Sequence, residues 1–398
     1  MAQWLSARLG DYIIINPESI SASNADGLIQ YVDISSVEQG RLLGYTEYDV
    51  KDAPGRARRI MRKGDIIIST VRPNLRTYYY VNECPDNAIC STGFAVLRPK
   101  NKVDGRFIYY LVSENSFTDW LTLVAKGSAY PAVDTLDFKK AKVSVPDYTT
   151  QTEISGILSA YDDLTEVNNK RIKVLEQMAE NLYKEWFVRF RFPGHESVPF
   201  ENGIPKGWSI KRLKDYGRVE TGKTPSMEMA EYYGNDYLFI KTPEMHGNVF
   251  VIDTEEKLSE RGHQTQQKKL LPANSIMVTC IGTGGIVALN AAPGHTNQQI
   301  NSIILDDLNY LEWLFFVCKS MRATIEMFGA TGSTMTNLSK GKFEKLKVIE
   351  PTAALIMKYH SIVSPILSEI KDLMVANQKL IKQRDLLLPR LMSGKMGV

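Results

Sequence analysis

The feature that most constrains this sequence is an internal repeat. Nine positions that start at Trp4 match nine that start 204 positions later, at Trp208, with five identities. The identical pairs are Trp4 and Trp208, Arg8 and Arg212, Leu9 and Leu213, Asp11 and Asp215, and Tyr12 and Tyr216. A chain that contains one unit twice tends to fold with approximate two-fold symmetry, and duplex DNA is one of the few common partners that share this symmetry.

The repeat continues along both halves. Residues 63–69 parallel residues 272–279, and the stretch 127–143 parallels the stretch 332–348. The separation drifts from near 210 to 205 between these segments, as loops of different length would cause. We therefore expect the halves to share a framework and to differ in their loops, so that one scaffold carries two different binding surfaces.

Size and composition set broad limits. A chain of 398 residues is expected to form two or more domains. Its 48 Lys and Arg residues against 45 Asp and Glu residues give a net charge of +3, which permits nucleic-acid binding without indicating it. The four cysteines form no C-x-x-C pair, which argues against a zinc site and a disulfide framework. Neither a signal peptide nor a membrane-spanning run is visible, so we expect a cytoplasmic protein without membrane contact.

Each half begins with a strand-rich part. Short apolar or aromatic runs bounded by Gly, Pro and Asn are typical of strands. They occur at 66–68, 78–81 and 94–97 in the first half, and at 237–240, 276–278 and 302–305 in the second. One helix is predicted in each part, at 106–123 and 311–327. The sequence therefore predicts an α+β fold with two similar strand-rich domains.

A long helix is predicted after each strand-rich part. The first should begin with a capping box formed by Thr150 and Glu153 and end before Phe192. Seam residues recur every seven positions in both helices, which is coiled-coil spacing. In the first helix they are Ile154, Tyr161, Asn168, Leu175 and Leu182, with Leu158, Ile172 and Trp186 beside them. In the second they are Tyr359, Ile366, Leu373, Leu380 and Leu387, with Ile362, Ile370 and Leu391 beside them.

Neither long helix can cover its apolar seam alone. We expect the two to pair antiparallel within one chain, with Asn168 and Asn377 as polar seam residues that fix the register. The predicted domains are residues 1–149, a spacer helix at 150–191, a linker and second domain at 192–350, and a second spacer helix with a tail at 351–398. The expected architecture has two heads at opposite ends of a helical spacer, related by a pseudo-two-fold axis.

The sequence contains no motif for a catalytic centre. The phosphate-binding loop G-x-x-x-x-G-K-[ST] does not occur. Glycines at 282, 284 and 285 follow a strand, but no helical pattern comes after them, which favours a tight turn over a dinucleotide site. The five histidines are scattered, which favours solvated or core roles over metal ligation. We expect a binding protein that holds no cofactor or metal of its own.

This organisation resembles the specificity (S) subunit of type I restriction–modification systems. The likeness covers the whole chain, with two variable domains that alternate with two similar long helices. It includes the strand-to-helix junction from Val145 through Gln151 to Leu158 and the ending from Leu388 to Lys395. The second junction departs from the pattern, because the residues after Pro351 lack a glutamine equivalent to Gln151.

The resemblance implies a division of labour within a larger complex. Each strand-rich domain would be a target-recognition domain that reads one half of a split, asymmetric site in double-stranded DNA. The helices would set the distance between half-sites and dock two methyltransferase (modification) subunits, which use S-adenosylmethionine to modify adenine. Restriction subunits would add translocation and cleavage driven by ATP and magnesium. The chain itself would perform no reaction.

Candidate DNA-contacting residues in the first domain are polar or basic and lie on predicted loops. The loop after strand 66–68 and the Gly-Ser loop supply Arg72, Asn74, Arg76, Lys126, Ser128 and Tyr130. A basic run suited to phosphates contains Arg56, Arg58 and Arg59, followed by Arg62 and Lys63. The alternative for this run is a solvated loop. The aromatic run 78–80 favours strand packing over base stacking.

In the second domain the matching positions are mostly amides and hydroxyls. They are Thr283, Asn297, Gln298, Gln299, Asn301, Ser333 and Thr334. The amide run 297–299 could read adenines, because a side-chain amide matches the N6 and N7 atoms of adenine. It could equally form a hydrogen-bonded turn. Two rival functions stay open at this point: a duplicated scaffold that binds protein or sugar, and a self-contained methyltransferase or nuclease, against which the missing motifs argue.

Overall fold

The protein forms two compact units in a computed structural model, which describes residues 4–20, 27–38, 40–127, 130–329 and 336–398. Unit 1 comprises Met1–Thr165 and Leu380–Val398, and unit 2 comprises Glu166–Lys379. The predicted domains are consecutive segments of the chain. Each compact unit instead combines a strand-rich part with the adjoining portions of both long helices, so unit 1 contains two separate segments.

Unit 1 contains two main sheets. Its strands are β1 (Leu5–Arg8), β2 (Ile13–Ile15), β3 (Leu28–Val32), β4 (Val37–Glu38), β5 (Arg41–Leu42), β6 (Thr46–Asp49), β7 (Ala57–Ile60), β8 (Ile66–Ser69), β9 (Tyr78–Tyr80), β10 (Ala88–Ser91), β11 (Phe94–Pro99) and β12 (Lys142–Val145). One sheet is antiparallel in the order β2-β11-β8-β9. The other has the order β6-β3-β10-β7 and pairs β3 with β10 in parallel. Strand β1 pairs with β12.

The helix predicted at 106–123 is wrong as a single element. The structure has α1 (Gly105–Ser113) and α2 (Asn115–Val124), and a third short helix, α3 (Thr135–Lys140), follows. Glu114 interrupts the predicted helix because its backbone is extended, with ψ of 149°. Asp104 caps α1 by accepting a hydrogen bond of 2.7 Å from the Phe107 N–H.

The first long helix, α4 (Tyr148–Tyr183), begins two residues earlier than predicted. Asp147 caps it, because its carboxylate accepts hydrogen bonds of 3.1 Å from both the backbone N–H and the hydroxyl of Thr150. The predicted capping box at Thr150 is therefore wrong. A π-helical segment, Lys184–Val188, continues the helix, and the prediction that it ends before Phe192 is confirmed.

Unit 2 repeats the framework of unit 1. Its strands are β13 (Phe200–Glu201), β14 (Ile204–Pro205), β15 (Ser209–Arg212), β16 (Gly217–Thr221), β17 (Tyr233–Ile240), β18 (Phe250–Val251), β19 (Lys257–Leu258), β20 (Ile276–Thr279), β21 (Ile281–Gly282), β22 (Val287–Asn290), β23 (Gly294–Thr296), β24 (Ile300–Leu305), β25 (Thr336–Asn337) and β26 (Lys347–Glu350). Its short helices are α5 (Thr242–Met245), α6 (Glu260–Gln264), α7 (Leu311–Ser320), α8 (Arg322–Gly329) and α9 (Lys340–Phe343). The second long helix, α10 (Ala353–Met392), begins in unit 2 and ends in unit 1. The helix predicted at 311–327 is again two helices, α7 and α8.

Strand order and register confirm the repeat. The order β16-β24-β20-β22 in unit 2 matches β2-β11-β8-β9 in unit 1, and β17 pairs in parallel with β23 as β3 does with β10. Strand β15 pairs with β26 as β1 pairs with β12. Leu9 and Leu213 are both fully buried beside these ribbons. The predicted α+β class with two similar strand-rich parts is confirmed.

The two long helices pair antiparallel. In unit 2 the Tyr359 hydroxyl donates to the Ala179 carbonyl at 3.2 Å, and Asn168 bonds Asn377 at 2.8 Å. In unit 1 Arg384 of α10 pairs with Asp162 of α4 at 2.5 Å.

The predicted seam residues lie on the paired faces of the helices. Ile154, Asn168, Tyr359 and Asn377 are buried, and Tyr161, Leu175, Leu182, Ile366, Leu373, Leu380 and Leu387 are half-buried. Ile362 is 42% exposed, so the prediction that it supports the seam is wrong; Val363 and Leu367 are buried instead.

Aromatic packing joins the π-helical segment after α4 to α10 and to the strand-rich part of unit 2. Trp186 packs against Tyr359 with ring centroids 5.9 Å apart, and Phe187 packs against Trp208 at 6.1 Å. Trp208 is 8% exposed and belongs to the core of unit 2.

Candidate nucleic-acid interface

Three loops meet at one edge of unit 1. The Thr70 N–H donates a hydrogen bond of 2.8 Å to the Gly93 carbonyl, and the Val133 N–H donates one of 2.8 Å to the Thr70 carbonyl. These bonds join the loop after β8, the turn between β10 and β11, and the loop before α3. We call this arrangement the loop junction. It brings together two groups of predicted contact residues that are more than fifty positions apart in sequence.

Unit 2 has the same loop junction. The Cys280 N–H donates to the Gln299 carbonyl at 2.7 Å, and the Leu338 N–H donates to the Cys280 carbonyl at 2.9 Å. The bridge between Val71 and Ala132 in unit 1 corresponds to the pairing of Ile281 with Asn337 in unit 2. Because the backbone bonds are equivalent, the side chains at the two junctions can be compared position by position.

The junction of unit 1 presents basic and aromatic side chains. Arg72, Asn74, Lys126 and Tyr130 are all exposed there. The guanidinium carbon of Arg72 lies 4.4 Å from the centre of the Tyr130 ring, a cation–π contact between the two loops. Lys126 exchanges two backbone hydrogen bonds of 2.9 Å with Ala132, which closes its loop. The predicted contact residue Ser128 lies outside the described residues.

The basic run is divided between the surface and the framework. Arg56 is exposed, and its carbonyl accepts a hydrogen bond of 2.8 Å from the Thr92 N–H, which places it next to the loop junction. Arg58 and Arg59 lie half-buried on β7. Arg62 forms an ion pair with Glu18, and hydrogen bonds from Arg62 and Arg98 lower the pKa of Glu18 to about 2. Arg56 is thus the member of this run that the fold presents most directly at the junction.

Arg76 belongs to the internal hydrogen bonding of unit 1. Its guanidinium donates to the Ser113 carbonyl at 2.8 Å and to the Tyr78 hydroxyl at 3.3 Å, and it also bonds the Asn115 side chain. These contacts stabilise the break between α1 and α2. The geometry therefore gives Arg76 a framework role, while its contact with DNA stays a prediction. Tyr78 is 8% exposed, in agreement with strand packing.

The amide run of unit 2 is a hydrogen-bonded turn with one outward member. The Asn297 side chain accepts from the Gln299 N–H and donates to the Gln299 side chain, both at 3.1 Å. Gln298 is exposed, and its Oε1 atom accepts a hydrogen bond of 2.7 Å from the Thr224 hydroxyl. Of the three amides, Gln298 is therefore the one that the turn presents to a partner.

The remaining predicted residues of unit 2 have mixed positions. Thr283 is exposed, and its carbonyl accepts a hydrogen bond of 2.6 Å from the Thr279 hydroxyl. Asn301 is buried and bonds Thr221 at 2.6 Å, which is a framework role. The predicted contact residues Ser333 and Thr334 lie outside the described residues.

Sequence reasoning missed several exposed residues at the two junctions. They are Thr92 in unit 1 and Lys223 and Asn337 in unit 2. Lys223 reaches this place because its N–H donates to the Thr296 carbonyl at 2.9 Å, across more than seventy positions of sequence. The internal repeat could have identified Thr92. When the separation between the two halves is allowed to drift from near 210 to 205, Thr92 aligns with the predicted contact residue Gln298.

A histidine pair lies behind the amide turn. His263 Nδ1 and His295 Nε2 are 3.0 Å apart, and the ring of His263 stacks on Tyr237 with centroids 4.3 Å apart. Burial, together with the neighbouring His263, lowers the pKa of His295 to about 4. Among the described residues no group of three or more His, Cys, Asp and Glu side chains could hold a metal ion. Within the same part of the chain, no helix is both long enough and apolar enough to cross a membrane.

Comparison with known proteins agrees with this architecture. The family model described as type I restriction modification DNA specificity domain matches residues 4–177 and 205–359. The chain is 31% identical to the specificity subunit of the type I restriction enzyme HindI from Haemophilus influenzae, over 100% of both chains. It is 28% identical to the MjaIX specificity subunit from Methanocaldococcus jannaschii, over 93% of this chain and 84% of the relative.

A solved structure shares the fold. The type I restriction–modification S subunit from M. genitalium is 14% identical, with a TM-score of 0.61 over 98% of this chain and 96% of that one. The family match covers most of the sequence, and both matched segments include a strand-rich part and the beginning of a long helix. The chain therefore belongs to the family of type I restriction–modification DNA specificity subunits.

Proposed function

We propose that this chain reads a split DNA site, with the loop junction of unit 1 on one half-site and that of unit 2 on the other. The observation that carries the proposal is that the same backbone junction occurs in both units with different side chains. Unit 1 presents Arg56, Arg72 and Lys126, whereas unit 2 presents Gln298 and Thr283 beside Lys223. Because base readout depends on side-chain donors and acceptors, equivalent scaffolds with different residues suit an asymmetric target.

The side chains at the two junctions suit different kinds of contact with DNA. Arg56 and Lys126 suit phosphate contacts, which need charge and reach but little fixed geometry. Such contacts make affinity fall as salt rises. In unit 2, Gln298 is held by Thr224 in an outward position, which suits a contact with a base edge.

The long helices carry exposed apolar side chains that suit partner subunits. In unit 2, Val167, Val174 and Met178 are each more than half exposed and lie on one face of α4 by their spacing. In unit 1, Ile157 and Leu164 are 40% and 48% exposed on the same helix. Exposed apolar residues that share one face of a helix suit an interaction surface better than scattered ones do. The proposed occupants are two methyltransferase subunits.

The chain is proposed to contribute recognition and no catalysis. S-adenosylmethionine would be used by the methyltransferase subunits, and ATP and magnesium by the restriction subunits. The complex would act on double-stranded DNA in the cytoplasm. A duplicated scaffold that binds protein or sugar is the alternative, and the experiment below separates the two.

The test is to produce this chain with its methyltransferase partner and map modified adenines in the host DNA, with and without the chain. We expect modification at a two-part motif only when the chain is present. Purified complex should also bind duplexes with that motif more weakly as salt increases. Modification that does not depend on the chain, or an assembled complex without affinity for DNA, would contradict the proposal and favour a scaffold.

A further inference from the structure

Arg72 occupies a backbone position at which unit 2 has a glycine. Arg72 lies three residues after the end of β8, and Gly282 lies three residues after the end of β20. Each follows the residue that bridges to the neighbouring loop, Val71 in unit 1 and Ile281 in unit 2. Both are in the left-handed region, with φ of 49° for Arg72 and 80° for Gly282. The two positions are therefore equivalent in place, and both have a positive φ.

The left-handed conformation is unfavourable for a residue with a Cβ atom, whereas glycine adopts it freely. A side chain at the position of Gly282 would have enough space, since the atom nearest to an added Cβ is the Gln299 Nε2 atom at 3.9 Å. Backbone conformation, and not space, is thus the reason for glycine there. In unit 1 the same conformation is retained with an arginine, and strained residues of this kind concentrate at functional sites.

The side chain of Arg72 is held in a defined orientation. The Arg72 N–H donates a hydrogen bond of 2.8 Å to the Pro131 carbonyl, which fixes the backbone beside the second loop. The guanidinium lies over the face of Tyr130, which is itself 67% exposed. A cation–π contact of this kind restricts the orientation of the guanidinium. Arg76, four residues on and also left-handed, differs because its guanidinium bonds the framework.

We propose that Arg72 reads a guanine in the half-site bound by unit 1, and that Tyr130 is a positioning residue that orients it. The inference rests on the proposed function. An arginine fork donates two parallel hydrogen bonds to O6 and N7 of guanine in the major groove, and this contact requires a planar group held in one orientation. A phosphate contact requires only a positive charge within reach, which the exposed Lys126 already supplies at this junction.

The test uses the full complex of this chain with its methyltransferase partner. Methylation rates are measured on the cognate duplex and on duplexes with each G·C pair of the motif replaced in turn. For Arg72→Gly we expect loss of discrimination at one G·C pair of one half-site, by about ten- to a hundredfold, with the other half-site read as before. Arg72→Gly should fold, because Gly282 shows that the junction accepts glycine.

Conservative variants distinguish a guanine contact by Arg72 from a phosphate contact, and they test whether the Tyr130 ring orients the guanidinium. Arg72→Lys keeps the charge but not the fork, so it should lose the same discrimination. Tyr130→Phe keeps the ring and should discriminate as the wild type does, whereas Tyr130→Leu should lose part of the discrimination. Lys102→Gly is the matched control, because Lys102 is an exposed basic residue in the left-handed region with φ of 62° that lies before α1. It should leave the motif unchanged.

Two results would overturn the inference. One is an Arg72→Gly complex that reads every G·C pair as the wild type does. The other is an Arg72→Lys complex with wild-type discrimination, which would assign Arg72 to a phosphate. Either result leaves the proposed function intact, because the wild-type complex would still methylate a two-part motif. Failure of the proposed function would appear earlier, as absence of any motif with the wild-type chain.

Discussion

Asn168 donates a hydrogen bond of 2.8 Å from Nδ2 to the Oδ1 atom of Asn377, and both side chains are buried between the paired helices of unit 2. The Asn377 Nδ2 atom in turn donates to Asn169 at 2.9 Å. A buried polar pair of this kind is satisfied in only one alignment of the two helices. It costs stability relative to apolar residues and excludes shifted registers.

The first prediction concerns this pair. Asn168→Leu removes the donor and leaves the Asn377 carbonyl group buried without that partner. We expect the free energy of unfolding to fall by about 1–3 kcal/mol, because a buried unsatisfied polar group loses its hydration. The double variant Asn168→Leu with Asn377→Leu should be more stable than either single variant. Denaturant unfolding of the four proteins gives the coupling energy, with Lys173→Leu on an exposed face as the control. Additive effects would show that the pair does not set the register.

Gln151 ties the start of α4 to the strand-rich part of unit 1. It is 2% exposed, its Oε1 atom accepts from the Asp104 N–H at 3.1 Å, and its Nε2 atom donates to the Pro146 carbonyl at 2.9 Å. The equivalent position in unit 2 is Ile356, which is 1% exposed. The same strand-to-helix connection is thus stabilised by hydrogen bonds in unit 1 and by a buried apolar side chain in unit 2.

The second prediction follows from that difference. Gln151→Ile should destabilise the protein by about 1–3 kcal/mol for each backbone group left unpaired, although isoleucine is the residue of the other copy. Ile356→Val removes one methyl group without exposing a polar group, so it should cost only about 0.5–1.5 kcal/mol. Thermal or denaturant unfolding compares them. A smaller loss for Gln151→Ile than for Ile356→Val would mean that the glutamine bonds contribute nothing.

The third prediction is a pH dependence centred on His295. Burial first, and His263 second, lower the pKa of this imidazole from 6.5 to about 4. The unfolded chain therefore binds more protons than the folded chain between these pH values, so stability falls as pH falls through this window. The contribution is fully present above the unfolded pKa.

His295→Gln removes this titration and should flatten the fall in the free energy of unfolding across the window. Denaturant unfolding at a series of pH values measures the slope, and His246→Gln, at an exposed histidine, should keep the slope of the wild type. An unchanged slope for His295→Gln would show that the histidine pair does not couple folding to pH.

The fourth prediction tests the proposed docking faces of α4. Val174→Asp combined with Met178→Asp places charges on side chains that are already exposed, so folding should be unaffected. Bound methyltransferase subunit should be lost, because charged groups in the core of an interface are costly to bury. The mass of the purified complex reports how many partner subunits remain, and Lys173→Asp, at an exposed position of the same helix, is the control. Full assembly of the double aspartate variant would remove this face from the docking surface.

The sequence predicted the features that depend on periodic or repeated patterns. The seven-residue spacing identified the helix seam from Ile154 to Leu182, and the pairing of Asn168 with Asn377 is confirmed. The repeat predicted the shared framework, which the equivalent strand registers confirm. These features are recoverable because they recur along the chain and do not depend on a single contact.

The misses arose where an individual contact, local or distant in sequence, decided the outcome. Asp147 and Thr150 are both good helix caps, and only the observed carboxylate contacts show which one serves. The break at Glu114 is stabilised by Arg76, which is distant in sequence, so no local pattern shows it. The place of Lys223 at the junction of unit 2 likewise depends on a long-range backbone bond. The sequence predicted only which types of residue could contact bases. The orientation of a side chain, such as that of Arg72 over Tyr130, depends on the fold.

The central claim is that each unit reads its own half of one DNA site. The most direct measurement is the methylation motif in cells that express the methyltransferase partner with wild-type chain, with Arg72→Gly, or with Gln298→Ala. We predict that Arg72→Gly relaxes bases only in one part of the motif and that Gln298→Ala relaxes bases only in the other part. Changes by both variants in the same part, or a motif that neither variant alters, would contradict the account.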